Sequence, residues 1–175
     1  MDTVTSKNNS QIGEKNNNYL KVALIGNPNS GKSTLFNLLT GLNQNTANFP
    51  GATINKKTGL AKIKNVQVEF IDLPGAYSLN PTSTDEKIAI EVLKDKNHED
   101  FPDLLIYVAD ASNLKRSLFL ATQIIDAKLP VIIALNMMDV VERRGMGINT
   151  KWLSEQLGVQ VIPISARKEN GIDVL

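Results

Sequence analysis

The stretch Gly26-Asn27-Pro28-Asn29-Ser30-Gly31-Lys32-Ser33 decides the fold of this chain. It fills every fixed position of the phosphate-loop pattern, which is a glycine, four free positions and then Gly-Lys-Ser. It follows a short apolar run at 20–25 and precedes a segment of helical period that stops at Gly41. A strand, a glycine-rich turn and a helix in this order predict a loop whose backbone N–H groups surround phosphate oxygens.

Individual residues of this loop have distinct expected contacts with a nucleotide. We expect the catalytic Lys32 to reach the β- and γ-phosphates and the Ser33 hydroxyl to ligate Mg²⁺. The other nucleotide-binding residues expected in the loop and the first helical turn are Gly26, Asn27, Pro28, Asn29, Ser30, Gly31 and Thr34. A fortuitous glycine-rich turn is the alternative, and the complete match in the right context disfavours it.

Outside the loop, apolar strand-like runs alternate with segments of helical period. The predicted strands are 20–25, 57–63, 66–71, 104–109, 131–135 and 159–164. This alternation predicts an α/β fold with a mostly parallel, six-stranded sheet and helices on both faces. We expect a further helix to begin near 171–175, so the last helix of the fold is expected to be cut off.

Helix boundaries can also be read from the sequence. Ser83 and Glu86 have the spacing of a capping box before an apolar helical run. Thr150 is expected to cap a short helix that Gly158 closes, with Trp152 on its buried face. Residues 1–18 are rich in asparagine and poor in aliphatic side chains, which predicts a flexible polar tail.

The composition excludes several classes of function. The 19 Lys and Arg residues nearly balance the 18 Asp and Glu residues, so no general attraction to nucleic acid or anionic lipid is expected. The absence of cysteine excludes disulfides and thiolate chemistry, and a single histidine, His98, excludes an imidazole-rich metal centre. No apolar run approaches the roughly 20 residues that cross a bilayer. We therefore expect this part of the protein to be soluble and intracellular.

A phosphate loop alone is compatible with a kinase, an ATPase or a GTPase, and the run Asn136-Met137-Met138-Asp139 separates them. It follows the predicted strand at 131–135, where a carboxylate can accept hydrogen bonds from N1–H and the exocyclic amine of guanine. Adenine has an acceptor at N1 and no exocyclic amine at C2, so the Asp139 carboxylate would be left without hydrogen-bond donors. Ser165-Ala166-Arg167 follows the last predicted strand, where backbone N–H groups can meet guanine O6.

Two further loops are candidates for sensing the γ-phosphate. Asp72 ends a predicted strand and can hold Mg²⁺ through water, and the N–H of the catalytic Gly75 can contact the γ-phosphate. Thr53 lies between the first helix and the second predicted strand, where its hydroxyl is the natural second protein ligand of Mg²⁺. The alternatives are an ordinary Asp-Pro-Gly turn and a structural loop threonine.

In this order and spacing, the elements resemble the Era-like, translation-factor-related class of small GTPases, whose domain has the Ras-like phosphate-loop fold. Within that class, Asn-Phe-Pro-Gly-Ala-Thr at 48–53 and Asp-Leu-Pro-Gly-Ala-Tyr-Ser-Leu at 72–79 are similar to the two switches of the bacterial ferrous iron transport protein B (FeoB) family. Asn-Met-Met-Asp also replaces the commoner Asn-Lys-x-Asp as in that family. The departures are Phe49, where tryptophan is usual, and Ala76, where threonine is frequent.

The resemblance implies a GTP-binding domain over 19–175 that regulates or powers ferrous iron uptake. Its expected partners are guanine nucleotide and the chain's own helical regulatory and transmembrane domains, which lie beyond 175 in that family. It implies a location on the cytoplasmic face of the inner membrane. Homo-oligomers are possible, and the near-neutral charge predicts no contact with nucleic acid. The alternative is a soluble, RNA-directed GTPase of ribosome assembly or tRNA modification, and a nucleotide-gated switch that hardly hydrolyses is a third option.

Two residues predict unusual behaviour within this class. Ala76 stands where many GTPases have a glutamine that orients water, so slow intrinsic hydrolysis is expected. The resemblance implies that the catalytic Asn29 holds a stimulating K⁺, although Asn29 can instead be a turn residue that caps its own backbone. Met137 stands where lysine is usual and cannot form a charge-assisted bond to the phosphate loop, which predicts fast GDP release.

Overall fold

The computed structural model describes residues 19–175, so the tail predicted over 1–18 lies outside the described residues. The strands are Leu20–Gly26 (β1), Gln44–Asn48 (β2), Asn55–Ile63 (β3), Val66–Asp72 (β4), Leu104–Asp110 (β5), Val131–Asn136 (β6) and Val161–Pro163 (β7). The α-helices are Lys32–Thr40 (α1), Thr84–Lys94 (α2), Leu114–Asp126 (α3), Met138–Arg143 (α4) and Thr150–Leu157 (α5). Short 3₁₀ turns follow at Ala111–Asn113 and Ala166–Lys168.

One sheet organises the domain, with the strand order β2-β3-β4-β1-β5-β6-β7. β1 pairs in parallel with β4 and β5, and β5-β6-β7 continue in parallel, whereas β2, β3 and β4 are antiparallel. The predicted α/β fold with a mostly parallel sheet is confirmed, but the sheet has seven strands rather than six. The missed strand is β2, whose five residues are all exposed. An edge strand that is polar on both faces carries no hydrophobic period to detect.

Helices cover both faces of the sheet. Alternate residues of the central strands point to opposite sides, so each face presents apolar side chains for a helix to cover. On one face Val22 and Leu24 of β1 pack with Leu35 and Phe36 of α1. On the other face the apolar side chains come from β1 and from helices α2 and α3, and include Ala23, Ile25, Ile88, Val92, Leu120 and Ile124. The parallel strands are therefore buried on both sides, as their continuous apolar runs predict.

Helix ends agree with the sequence at some positions and differ at others. Ser83 caps α2 by accepting a hydrogen bond from the Glu86 N–H at 3.2 Å, as predicted. In α5 the cap is Asn149, whose side chain accepts from the Trp152 N–H at 2.9 Å, so Thr150 is the first helical residue. Trp152 is 56% exposed, which makes its predicted core position wrong. Leu153 is the buried residue of this short helix, which turns the indole outward.

The carboxyl ends of the parallel strands meet at one edge of the sheet. β1 ends in the phosphate loop, β4 ends at Asp72, and β6 ends at Asn136. In open α/β sheets ligands bind in the crevice outside these strand ends. Within residues 19–175, no helix combines the length and the apolar character that spanning a bilayer requires.

Candidate functional site

The phosphate loop takes the conformation that an anion cradle needs. It folds back through a hydrogen bond from the Ser30 N–H to the Asn27 carbonyl at 3.1 Å. Gly31, the N-cap residue before α1, lies at φ 86°, a left-handed conformation that favours glycine. A Cβ atom added to Gly31 would lie 2.2 Å from Asn136 Nδ2, so a side chain there would displace a neighbouring loop. Only glycine therefore fits the predicted loop at this point.

Lys32, Ser33 and Asp72 come together at the N-terminus of α1. The Lys32 ammonium forms an ion pair with the Asp72 carboxylate, and the Ser33 hydroxyl lies 3.5 Å from the other Asp72 oxygen. Asp72 is 9% exposed. A hydroxyl and a carboxylate are hard oxygen ligands of the kind that Mg²⁺ takes beside a phosphate. These residues therefore fit a Mg–nucleotide group.

Thr53 is not brought to this group. It is exposed in the loop between β2 and β3, and its side chain forms no hydrogen bond with any described residue. Its predicted role as a Mg²⁺ ligand stays a prediction.

Asn136 joins three loops at the ends of their strands. Its side chain is 3% exposed and donates from Nδ2 to the Ser30 carbonyl at 2.9 Å. Its Oδ1 accepts from the Ala166 N–H, also at 2.9 Å. Both polar ends of the amide are thus used inside the protein, so Asn136 fixes the distance between the phosphate loop and the loop after β7.

Asp139 presents an ionised carboxylate next to this junction. The Ser165 hydroxyl donates to Asp139 Oδ1 at 2.9 Å, and Arg143 Nη2 lies 3.3 Å from Oδ2. The hydrogen bond from Ser165 is the main cause that lowers the pKa of Asp139, and the positive charges of Arg143 and Lys168 act in the same direction. The carboxylate therefore remains an acceptor at neutral pH, as recognition of two N–H donors requires.

A cavity of about 290 Å³ opens between these loops. It is lined by residues of the phosphate loop, of the segment after β6 and of the loop after β7, including Gly31, Thr34, Asn136, Met137, Asp139 and Arg167. Its size lies at the lower end of small-molecule sites, which suits one flat ring system. The predicted base-binding and phosphate-binding residues thus share one crevice.

The segment after β4 lies against the phosphate loop. The Ala76 N–H donates to the Gly26 carbonyl at 3.1 Å, and a Cβ added to Gly75 would lie 3.2 Å from the Pro28 ring. Glu86, which is 6% exposed, accepts from the N–H groups of Thr82 and Tyr77 at 2.7 and 3.2 Å. The bond from the Thr82 N–H is the main cause that lowers the pKa of Glu86. The backbone N–H groups of this segment are therefore bonded to the Gly26 carbonyl on one side and to the Glu86 carboxylate on the other.

Two functional contacts were missed from the sequence. Arg143 was not among the predicted site residues, yet it pairs with Asp139 and lines the cavity. Its spacing of four residues from Asp139 on a helix was the available signal. The Asn27 side chain, assigned only to the loop, donates to the Arg116 carbonyl at 3.3 Å. No local pattern pointed to that contact, since the two residues are 89 positions apart.

Comparisons with known proteins agree on one family. The family model described as Ferrous iron transport protein B matches residues 20–175. The chain is 47% identical to the Fe(2+) transporter FeoB of Legionella pneumophila over 156 residues, which cover 87% of this chain and 20% of that protein. It is 43% identical to the Fe(2+) transporter FeoB of Leptospira biflexa over 154 residues, 88% of this chain and 22% of that protein.

Solved structures show the same likeness. A crystal structure of an S. thermophilus NFeoB mutant bound to GDP superposes with a TM-score of 0.81 at 47% identity, covering 89% of this chain and 59% of that one. The chain spans about a fifth of the length of the curated relatives that it matches.

Proposed function

The chain belongs to the ferrous iron transport protein B (FeoB) family, and from this premise we propose that residues 20–175 bind and hydrolyse GTP in order to regulate or power ferrous iron uptake. The observation that carries the proposal is the ionised Asp139 at a cavity that Asn136 joins to the phosphate loop. This arrangement offers a double acceptor to guanine and backbone donors to phosphate. GDP in the related S. thermophilus structure supports the same ligand class.

In this proposal each loop has one task. The phosphate loop and Lys32 bind the β- and γ-phosphates, and the ion pair of Lys32 with Asp72 opens when phosphate competes for the ammonium. Mg²⁺, held by Ser33, by Thr53 and through water by Asp72, would neutralise phosphate charge when bound. The Gly75 N–H contacts the γ-phosphate. Asp139 binds the base together with the backbone of Ser165, Ala166 and Arg167, where the Ala166 N–H, bonded to Asn136 Oδ1, would be shared with guanine O6.

We also propose slow intrinsic hydrolysis that K⁺ stimulates. Ala76 is fully buried and has no polar side chain with which to orient water. Asn29 is exposed at φ 65°, and its side chain forms no hydrogen bond within residues 19–175. That leaves it available as an oxygen ligand beside the phosphates, where K⁺ would add positive charge to the developing transition state.

The remaining parts of the proposal concern the whole protein. We propose that helical regulatory and transmembrane domains follow residue 175, and that this module lies on the cytoplasmic face of the inner membrane. The names of the relatives, Fe(2+) transporter, support this, as does the fifth of their length that the chain spans. The partners of the module are then guanine nucleotide and its own following domains.

Fractionation of the native protein tests this proposal against the RNA-directed alternative. An antibody raised against this chain would be used on cells washed with alkaline carbonate. We expect a band far larger than 19.2 kDa retained in the washed membranes. A band in the soluble fraction would refute the transporter proposal and return the nucleotide chemistry to a soluble GTPase.

Fast GDP release is expected from Met137, and replacing it by lysine should slow release about tenfold. Met137 lines the base cavity at φ 66° and brings apolar packing without charge. A lysine stem would keep that packing and add a charge-assisted bond to the phosphate loop. Stopped-flow release of a fluorescently labelled GDP measures the rate, and Met146→Lys, on an exposed loop, serves as the control. Release over many minutes from the unsubstituted chain would contradict the prediction.

A further inference from the structure

One face of α3 lies along the segment that follows Gly75. The Arg116 guanidinium stacks over the Tyr77 ring, with 4.3 Å between the guanidinium carbon and the ring centre. Seven residues later, Gln123 Oε1 accepts from the Leu79 N–H at 2.7 Å. Seven residues make nearly two helical turns, so Arg116 and Gln123 project from the same side of α3. The helix therefore holds the segment Tyr77–Leu79 at its two ends.

The same helix is bonded to the phosphate loop. The Arg116 carbonyl accepts from Asn27 Nδ2 at 3.3 Å. The Tyr107 hydroxyl donates to the Ser117 carbonyl at 2.6 Å and lies 3.2 Å from Asn27 Oδ1. Asn27, Tyr107 and Ser117 are all buried, so this connection is shielded from solvent. Arg116 thus contacts the phosphate loop through its backbone carbonyl and the segment Tyr77–Leu79 through its side chain.

Gly75 lies between contacts to the phosphate loop on one side and contacts to helices α2 and α3 on the other. On the inner side the Ala76 N–H is bonded to the Gly26 carbonyl. On the outer side the next residue, Tyr77, is held by Arg116 and by Glu86. The Gly75 N–H therefore lies in a short segment next to the phosphate loop. Helix α3 helps to set the distance between this segment and the loop. Tyr77 is 37% exposed, so burial alone does not hold this stretch in place.

We propose that Arg116 and Gln123 are positioning residues that keep the Gly75–Leu79 segment aligned with the phosphate loop during GTP hydrolysis. The proposal rests on the proposed GTPase function. Neither side chain takes part in base recognition, because Asp139 and the base cavity lie at α4 and the loop after β7. Loss of either contact should therefore lower kcat and leave GDP affinity unchanged, because GDP lacks the γ-phosphate that the Gly75 N–H contacts. Misplacement of a reacting group by a small distance is enough to cost an order of magnitude in rate.

Arg116→Ala in the 175-residue chain is the first test, with GTP turnover and GDP affinity measured together. We expect kcat to fall about tenfold while the Kd for GDP changes less than twofold. Lys115→Ala is the matched control, because it removes a neighbouring exposed cation from α3 and should leave kcat unchanged. Arg116→Lys should restore most of the rate, since an ammonium is also attracted to an aromatic ring.

A double-mutant cycle separates coupling from general damage. Tyr77→Leu should lower kcat as Arg116→Ala does, Tyr77→Phe should not, and the double substitution should be no slower than either single one. Gln123→Met should slow turnover, and Gln123→Glu, which keeps an acceptor for the Leu79 N–H, should not. Equal kcat for the Arg116→Ala and Lys115→Ala proteins, or additive losses in the cycle, would overturn this inference. An unsubstituted chain that binds no GDP and turns over no GTP would instead overturn the proposed function.

Discussion

Replacing Asp139 by asparagine is expected to weaken GDP binding by about 10³-fold. The carboxylate offers two acceptor oxygens at the base cavity, and Ser165 and Arg143 hold it in place and keep it ionised. An asparagine amide keeps one acceptor and turns a donor toward the donors of guanine. Xanthine carries a carbonyl in place of the guanine amine, so the same substitution should improve binding of xanthosine diphosphate.

Titration with labelled GDP and xanthosine diphosphate measures both effects. Asp126→Asn is the control, because it makes the same chemical change at an exposed position at the end of α3. The control should bind GDP as the unsubstituted chain does. Unchanged guanine affinity in the Asp139→Asn protein would remove the argument for GTP over ATP. Hydrolysis of ATP would then have to be tested in its place.

Exchange of Na⁺ for K⁺ at constant ionic strength is expected to raise GTP turnover by about 10–100-fold. Hydrolysis depends on positive charge near the transferring phosphoryl group, and an arginine finger supplies roughly 10³–10⁵-fold in other GTPases. A monovalent ion held by the exposed Asn29 and the phosphates is less firmly placed than an arginine finger. We therefore expect a smaller increase in the rate of hydrolysis. Ala76, which cannot orient water, makes the unstimulated rate low and the gain visible.

Asn29→Ala is expected to abolish this stimulation while the rate in NaCl stays nearly unchanged. Turnover would be followed by phosphate release in KCl and in NaCl. Asn65→Ala is the control, since Asn65 lies in the β3–β4 turn at the opposite end of β4 from Asp72. Equal turnover in the two salts, or a K⁺ effect that survives in the Asn29→Ala protein, would refute the role proposed for Asn29.

Much of the site could be predicted because its demands are local. Gly31 needs a left-handed backbone conformation and Lys32 must begin a helix directly after the loop, and both are visible as residue types at fixed spacing. Asn136 and Asp139 were also found from their place after an apolar strand. The hydrogen bonds of the Asn136 side chain could not be predicted in the same way. Its amide donates to one neighbouring loop and accepts from another, and neither partner is close in sequence.

Trp152 and β2 show where periodicity fails. In an eight-residue helix an apolar residue beside Leu153 looks like a core residue, but only the packed structure decides which side faces the sheet. The edge strand β2 is exposed along its whole length and pairs with β3 through the backbone, so no buried apolar side marks it. Backbone pairing leaves no trace in side-chain pattern when neither face is buried.

The sequence by itself determined the phosphate loop, the alternation that makes a parallel sheet, and the placement of Asp72 and Asp139 at or just after the ends of apolar strands. These follow from backbone conformation and hydrophobic period, which neighbouring residues impose on one another. The tertiary structure alone decided the bond of Asn27 to α3, the stacking of Arg116 on Tyr77 and the pairing of Arg143 with Asp139. Contacts of this kind depend on distances between elements, which arise only when the two faces of the sheet are packed against their helices.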